Sequence, residues 1–229
     1  MRTQLVLLVC LALAVPRLAH ASGPDDSMSP YSVGVNGGAG IYLGKGLVLS
    51  VAHVVGGGIL NKPTVTIAGR TLKATVVKES PFEQLDLALL EIDESDLPVS
   101  LRLRRIPLCQ GKTWPGEEVV SLTAQGPVRS HIVSPASIPR NVKRFSSLIR
   151  DVATTGNSGS AVFEAQRKCL LGIMSRKISQ VLEQKETGKK TTRDIAKYFV
   201  PAGTIADFMP RDLGLTPERY PPIQFSFRQ

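Results

Sequence analysis

His53 closes the run Leu47-Val48-Leu49-Ser50-Val51-Ala52-His53 and is followed by the turn Gly56-Gly57-Gly58. A buried-strand pattern that delivers an imidazole into a turn can hold a general base at hydrogen-bond distance from a hydroxyl. The plainer role of such a histidine is structural. Asp86 lies in Leu85-Asp86-Leu87-Ala88-Leu89-Leu90, and an ionised carboxylate among apolar neighbours is costly unless it is paired and hydrogen-bonded. It therefore needs a partner: it can cap a strand start, or it can accept an imidazole N–H, fix the tautomer and stabilise the imidazolium. The third stretch is Thr154-Thr155-Gly156-Asn157-Ser158-Gly159-Ser160. Its glycines permit a tight turn that aims backbone N–H groups at a developing oxyanion, with Gly156 and Ser158 as donors and Ser158 Oγ as nucleophile. As a bare Ser/Gly loop the same string is unremarkable, and it also matches the nucleophile-elbow pattern of α/β-hydrolases. That fold places the serine before its acid and histidine, whereas the order here is His53, Asp86, Ser158.

The elements that must position these residues are short. Apolar and β-branched segments separated by turn residues predict strands within Gly40 to Ala52, Thr64 to Ile67, Leu72 to Val77, Leu87 to Ile92, Glu118 to Thr123, Ser130 to Val133, Ser160 to Phe163 and Leu170 to Met174. Many short strands predict an all-β barrel or sandwich. One helix is expected over Gly203 to Met209, introduced by Pro201 and ended by Pro210. The polar stretch from Arg176 to Lys197, with Lys185, Lys189, Lys190 and Arg193, reads as an exposed loop, either a solvated excursion or a basic binding patch.

Arg2 precedes the apolar run Leu5 to Val15, and Ala19-His20-Ala21 offers small residues at the two cleavage-defining positions, so residues 1–21 read as a signal peptide. The alternative is an uncleaved anchor, but the run is short for a membrane span. An exported protein, periplasmic or extracellular, is the expectation. The net charge of +9 falls to +7 without Arg2 and Arg17; it favours acidic partners and anionic surfaces without selecting one. With Cys10 in the leader, Cys109 and Cys169 remain, open to a disulfide in an oxidising compartment or to two buried thiols. No Cys/His cluster calls for a metal, and no cofactor or nucleic-acid partner is expected.

The blocks SVAHVV, LDLALLEI and TGNSGSAVF resemble the histidine, aspartate and serine blocks of chymotrypsin-clan (trypsin-like) serine proteases. The likeness is to the bacterial HtrA-type and glutamyl-endopeptidase branch, whose serine loop reads GNSG, and it covers roughly Val33 to Met209. It implies two antiparallel six-stranded β-barrels with a C-terminal helix, at about 33–100 and 105–210 of a protease domain spanning 22–229, and a His53, Asp86, Ser158 triad in the cleft between them. It implies a serine endopeptidase acting on polypeptide substrates through an acyl-enzyme. Fewer than 30 residues follow Pro201, too few for the PDZ domain of HtrA-type chains, so a stand-alone protease is expected.

By the same resemblance Val152 sits at the base of the primary specificity pocket, with Ala153, Ile173 and Met174 around it. No acid stands there to pair with Lys or Arg, so small or medium apolar residues should precede the cleaved bond. Glutamyl endopeptidases usually carry a histidine where this sequence has Met174. Digestive members place an Asp beside the nucleophile to capture a freed N-terminus, and this chain has Asn157. The rival expectation is a cationic protease-like protein that binds and does not cleave; the presence of all three triad residues weighs against it.

Overall fold

The computed structural model describes residues 27–56, 62–138, 147–150, 157–184 and 188–210. The expected signal peptide, residues 1–21, lies outside them. Strands β1 (Ser32–Val35), β2 (Gly38–Gly44), β3 (Leu47–Ser50), β4 (Thr64–Ile67), β5 (Arg70–Ser80) and β6 (Leu87–Ile92) close into a barrel in the order β1-β2-β3-β6-β5-β4. Strands β7 (Glu118–Thr123), β8 (Gly126–His131), β9 (Leu148–Arg150), β10 (Ala161–Glu164), β11 (Leu170–Glu183) and β12 (Lys190–Pro201) form a second six-stranded sheet in the order β8-β7-β10-β11-β12-β9. Every pairing in both sheets is antiparallel. The outer strands of the second sheet approach each other at a bridge between Ile132 and Ile149, and Val133 N donates to Leu148 O at 2.8 Å, which curls the sheet into a barrel-like form. A short helix, α3 (Ala202–Phe208), follows; α1 (Ala52–Val55) and α2 (Val99–Arg102) are single turns.

The largely apolar character of β3 and β6, interrupted by Ser50 and by the exposed Glu91, has a physical cause. Side chains alternate across a strand, and here residues on both faces are buried. Val48, Ala88, Leu90 and Ile92 point into the first barrel with Val33, Val35 and Val65. Leu47, Leu49, Leu87 and Leu89 point the other way, into a core shared with Val120, Phe163, Leu170 and Ile173 of the second barrel and with Ile205 and Phe208 of α3. The second barrel has its own interior of Val119, Val162, Leu171, Met174 and Phe199 beside Cys109 and Cys169. Those two cysteines are bridged.

The structure departs from the sequence expectations at several places. The expected loop from Arg176 to Lys197 is largely a hairpin: β11 and β12 stay paired from Gly172↔Pro201 out to Glu183↔Lys190. Its β-branched residues, Ile178, Val181, Thr191, Thr192 and Ile195, favour extended backbone, but the surrounding charges hid that pattern. His53 does not end a strand: β3 stops at Ser50, and the imidazole stands on the first turn of α1. Gly56, at φ 82°, ends that turn in the left-handed conformation glycine tolerates. The C-terminal helix forms one residue earlier at each end than expected.

Candidate active site

Asp86 occupies the position just before β6, at φ 55° and with no exposed surface. In this buried setting the carboxylate is satisfied from three directions. The backbone N–H of His53 donates to Oδ1 at 3.1 Å, His53 Nδ1 lies 2.9 Å from Oδ2, and the hydroxyl of Ser175 donates to Oδ2 as well. A buried carboxylate with this many donors is a fixed acceptor, and it orients the imidazole with Nε2 turned away from it. The His53 side chain is about a third exposed. The edge of its ring meets Phe82 at 5.6 Å between centroids and 87° between planes. Arg176 holds Phe82 in turn: its guanidinium lies 4.2 Å from the ring centroid and donates to Phe82 O at 2.6 Å.

Ser158 comes from the second barrel, in the turn that leads into β10, and that turn is pinned from both sides. Ala39 N of β2 donates to Ser158 O at 2.9 Å, Ser160 N to Asn157 O at 3.0 Å and Gly159 N to Met174 O at 2.8 Å, and Met174 N returns a bond to Ser160 O at 2.8 Å. Gly159 is obligatory, because a Cβ there would lie 1.8 Å from Ala39 O and its φ is +86°. Ser50 at the end of β3 stiffens the same junction by donating its hydroxyl to Ala39 O at 2.7 Å. His53 and Asp86 thus come from the first barrel and Ser158 from the second, and the serine turn is pressed against the first barrel's β2.

Val152, Ala153 and Gly156 lie outside the described residues, so the floor of the expected pocket and one expected oxyanion donor carry no structural description. Ile173 and Met174 are both buried: Ile173 joins the core between the barrels and Met174 the interior of the second barrel. A cavity of about 460 Å³ opens elsewhere, between β5, the segment before Asp86 and α3, lined by Lys78, Ser80, Gln84, Thr204, Asp207 and Phe208. Among the described residues no three His, Cys, Asp or Glu side chains converge as a metal site would require, and no helix is long and apolar enough to cross a membrane.

Ser175 is the functional residue that the sequence reading missed. Its signal was faint: a lone serine after the apolar Leu170 to Met174, at a position where the strand crosses beneath Asp86. Nearby, burial raises the Tyr198 hydroxyl above its ordinary pKa, against the opposing pull of the Arg176 charge.

A family model described as a trypsin-like peptidase domain matches residues 38–173, more than half of the chain. The chain belongs to the trypsin-like peptidases. Membership indicates a peptidase of the serine-protease type, and the solved structures agree on the fold. The Rv3671c protease of M. tuberculosis, in its inactive form, matches at 19% identity and TM-score 0.57, over 81% of this chain and 90% of that one. The HtrA-type protease AlgW with a tripeptide matches at 19% identity and TM-score 0.56, over 80% of this chain and 60% of AlgW. The MamO protease domain from Magnetospirillum magneticum matches at 23% identity and TM-score 0.55, over 80% of this peptidase and 97% of that domain. No curated protein matches the sequence significantly.

Proposed function

We propose that this trypsin-like peptidase is an exported serine endopeptidase in which Ser158 attacks the peptide carbonyl, His53 carries the proton and Asp86 orients the imidazole. The observation that supports this reading most is the fully buried Asp86 carboxylate bonded to both the backbone N–H and the Nδ1 of His53. Such a carboxylate holds Nδ1 as the donor and leaves Nε2 free to take the serine proton as general base, then to return it to the leaving amine. The tetrahedral oxyanion is stabilised by the N–H groups of Gly156 and Ser158, and collapse gives an acyl-enzyme that water hydrolyses. The pocket formed with Val152, Ala153, Ile173 and Met174 takes a small or medium apolar side chain. The leader at residues 1–21 directs the protein out of the cytoplasm.

A serine-directed organophosphonate provides the test, because covalent labelling requires an activated hydroxyl. One equivalent is expected on Ser158 of the wild type and none on Ser158→Ala or His53→Ala. An unlabelled, folded wild type would instead make the chain a cationic protease-like binding protein.

A further inference from the structure

The two hairpins that hold the serine turn both end in basic turns on their far side. β2 meets Ser158 O through Ala39 and runs out to Gly44, where the turn into β3 carries Lys45. Six steps at about 3.3 Å each put Lys45 roughly 20 Å along the hairpin from Ala39. β10 leaves the serine turn at Ala161 and runs out to Glu164, and the turn into β11 carries Arg167 and Lys168.

The segment joining the barrels runs between these two turns. A Cβ on Gly44 would lie 2.4 Å from Arg104 O and 2.5 Å from an Arg105 side-chain nitrogen, so the linker rests on the end of β2. Leu170 N donates to Pro107 O, Cys109 N donates to Leu170 O, and the Cys109–Cys169 bridge ties the linker to the β10–β11 turn. The linker adds Arg102, Arg104, Arg105 and Lys112, none of which has a carboxylate partner among the described residues. The carboxylates of this region are engaged. Glu117 and Glu164 are buried against Arg167, and Glu94 accepts from Gly46 N and from the Tyr42 hydroxyl. The exposed Asp93 and Asp96 stand before α2, on the side of Arg70, which donates to Asp96 O at 2.8 Å.

A cluster of bases on a cationic protein is ordinarily a solvated surface. Here apolar side chains stand among them. Val99 and Leu103, one helical turn apart across α2, are 57% and 72% exposed, and Trp114 is 55% exposed. Trp114 belongs to the same region, since its backbone N–H donates to Glu117 Oε2 at 3.2 Å while Arg167 donates to Oε1. Exposed Leu and Trp gain nothing from a soluble polyanion. At a bilayer surface the bases meet phosphates, and Leu and Trp enter the headgroup boundary. The first described residue lies here too: Ser27, six positions after Ala21, accepts from Lys168 Nζ at 3.0 Å, and Arg104 lies 5.4 Å over the Tyr31 ring. Asp25 and Asp26, just before Ser27 in sequence, offset part of the positive charge without cancelling it.

We infer that this face, built from the β2–β3 turn, the β10–β11 turn and the linker between the barrels, docks on an anionic phospholipid membrane. The serine turn lies at the opposite end of the same hairpins, so docking leaves the active site turned away from the bilayer. An exported chain that docks in this way stays at the membrane it has crossed. The docking does not depend on the catalytic reading, because no residue of the face belongs to the proposed triad.

Trp114 is the one tryptophan of the chain, so its emission reports on this face directly. The exported chain beginning at Ser22 is titrated with vesicles of phosphatidylcholine containing about 30% phosphatidylglycerol, and with phosphatidylcholine alone. On the anionic vesicles Trp114 should shift to the blue and be quenched by lipids brominated on the upper acyl chain, with apparent affinity at least about tenfold above the neutral vesicles. The advantage should collapse in about 0.5 M NaCl. Arg104→Glu combined with Lys112→Glu should weaken binding by at least about tenfold. Leu103→Ser, which alters only an exposed side chain, should weaken it a few-fold and keeps the test open should the double variant misfold. Organophosphonate labelling of Ser158 should be unchanged in both. Equal affinity for neutral and anionic vesicles, binding that leaves Trp114 emission unmoved, or full binding by the folded variants would overturn the inference. Binding of heparin with no binding of either vesicle would identify a polyanion site and also overturn it. Ser158→Ala should bind as the wild type does; a chain that docks in this way yet hydrolyses no peptide would sink the catalytic reading alone.

Discussion

At the scale of single residues, the site depends on how a buried carboxylate is satisfied. Ser158→Ala should reduce peptide hydrolysis by roughly 10⁴-fold or more with an unchanged unfolding transition, because in the proposed mechanism the hydroxyl is the attacking group and it fills no core space. Asp86→Asn should cost about 10⁴-fold in kcat by favouring the wrong tautomer of His53. Ser175→Ala removes one donor of several to Asp86, so a fall in kcat of about tenfold is expected. KM should hold, since this hydroxyl lies behind the carboxylate. A change confined to KM would instead assign Ser175 to substrate contact. Away from the site, Glu117 is buried, its carboxyl raised above the ordinary value by desolvation, with Arg167 at 3.3 Å opposing the shift. A carboxyl whose folded value is raised binds its proton more tightly in the native state, so its contribution to stability is full below the unfolded value of about 4.5 and is lost as pH rises through the folded value. Urea midpoints of Glu117→Gln measured from pH 4 to 7 should lack that decline.

At the scale of elements, the serine loop is positioned by things outside it. The Cys109–Cys169 bridge ties the segment entering the second barrel to the turn that leads into β11, across 60 residues of sequence. Closing a loop of that length restricts the unfolded chain by about 4 kcal/mol in the chain-entropy account. Cys109→Ala with Cys169→Ala should therefore lower unfolding free energy by up to about that amount in guanidinium titrations. β11 itself has three tasks along its length: it fills the core between the barrels through Leu170 and Ile173, bonds the serine turn through Met174 and donates to Asp86 through Ser175.

At the scale of the whole molecule, catalysis requires the barrels to meet in one register, and the shared core of Leu49, Leu87, Leu89, Phe163, Ile173 and Ile205 provides the apolar contact that does this. In the proposed mechanism, activation depends on the residue beside Ser158. Asn157 is neutral and almost fully buried, so no carboxylate stands there to receive a liberated N-terminal amine and order the oxyanion loop. A short N-terminal tag placed before Ser22 should thus leave casein hydrolysis unchanged. A tagged form that is inert until the tag is removed would show that the amine has a role after all.

The sequence alone was enough for the strands built from β-branched and apolar runs between turn residues. β4, β6 and β7 occupy the residues expected of them because such runs leave the backbone little choice. It also offered candidate chemistry, since the blocks around His53, Asp86 and Ser158 stand in the order of the histidine, aspartate and serine blocks that they resemble. Tertiary structure decided the rest. That β3 and β6 serve two cores at once, that Ser175 comes to lie under Asp86, 89 positions away, and that Arg176 steadies Phe82, 94 positions away, against His53 all depend on contacts between residues distant in sequence. No local periodicity encodes them. The charged hairpin was hidden for the related reason that its pairing energy lies between strands, so that a run of lysines and threonines looks like a loop until its partner is beside it.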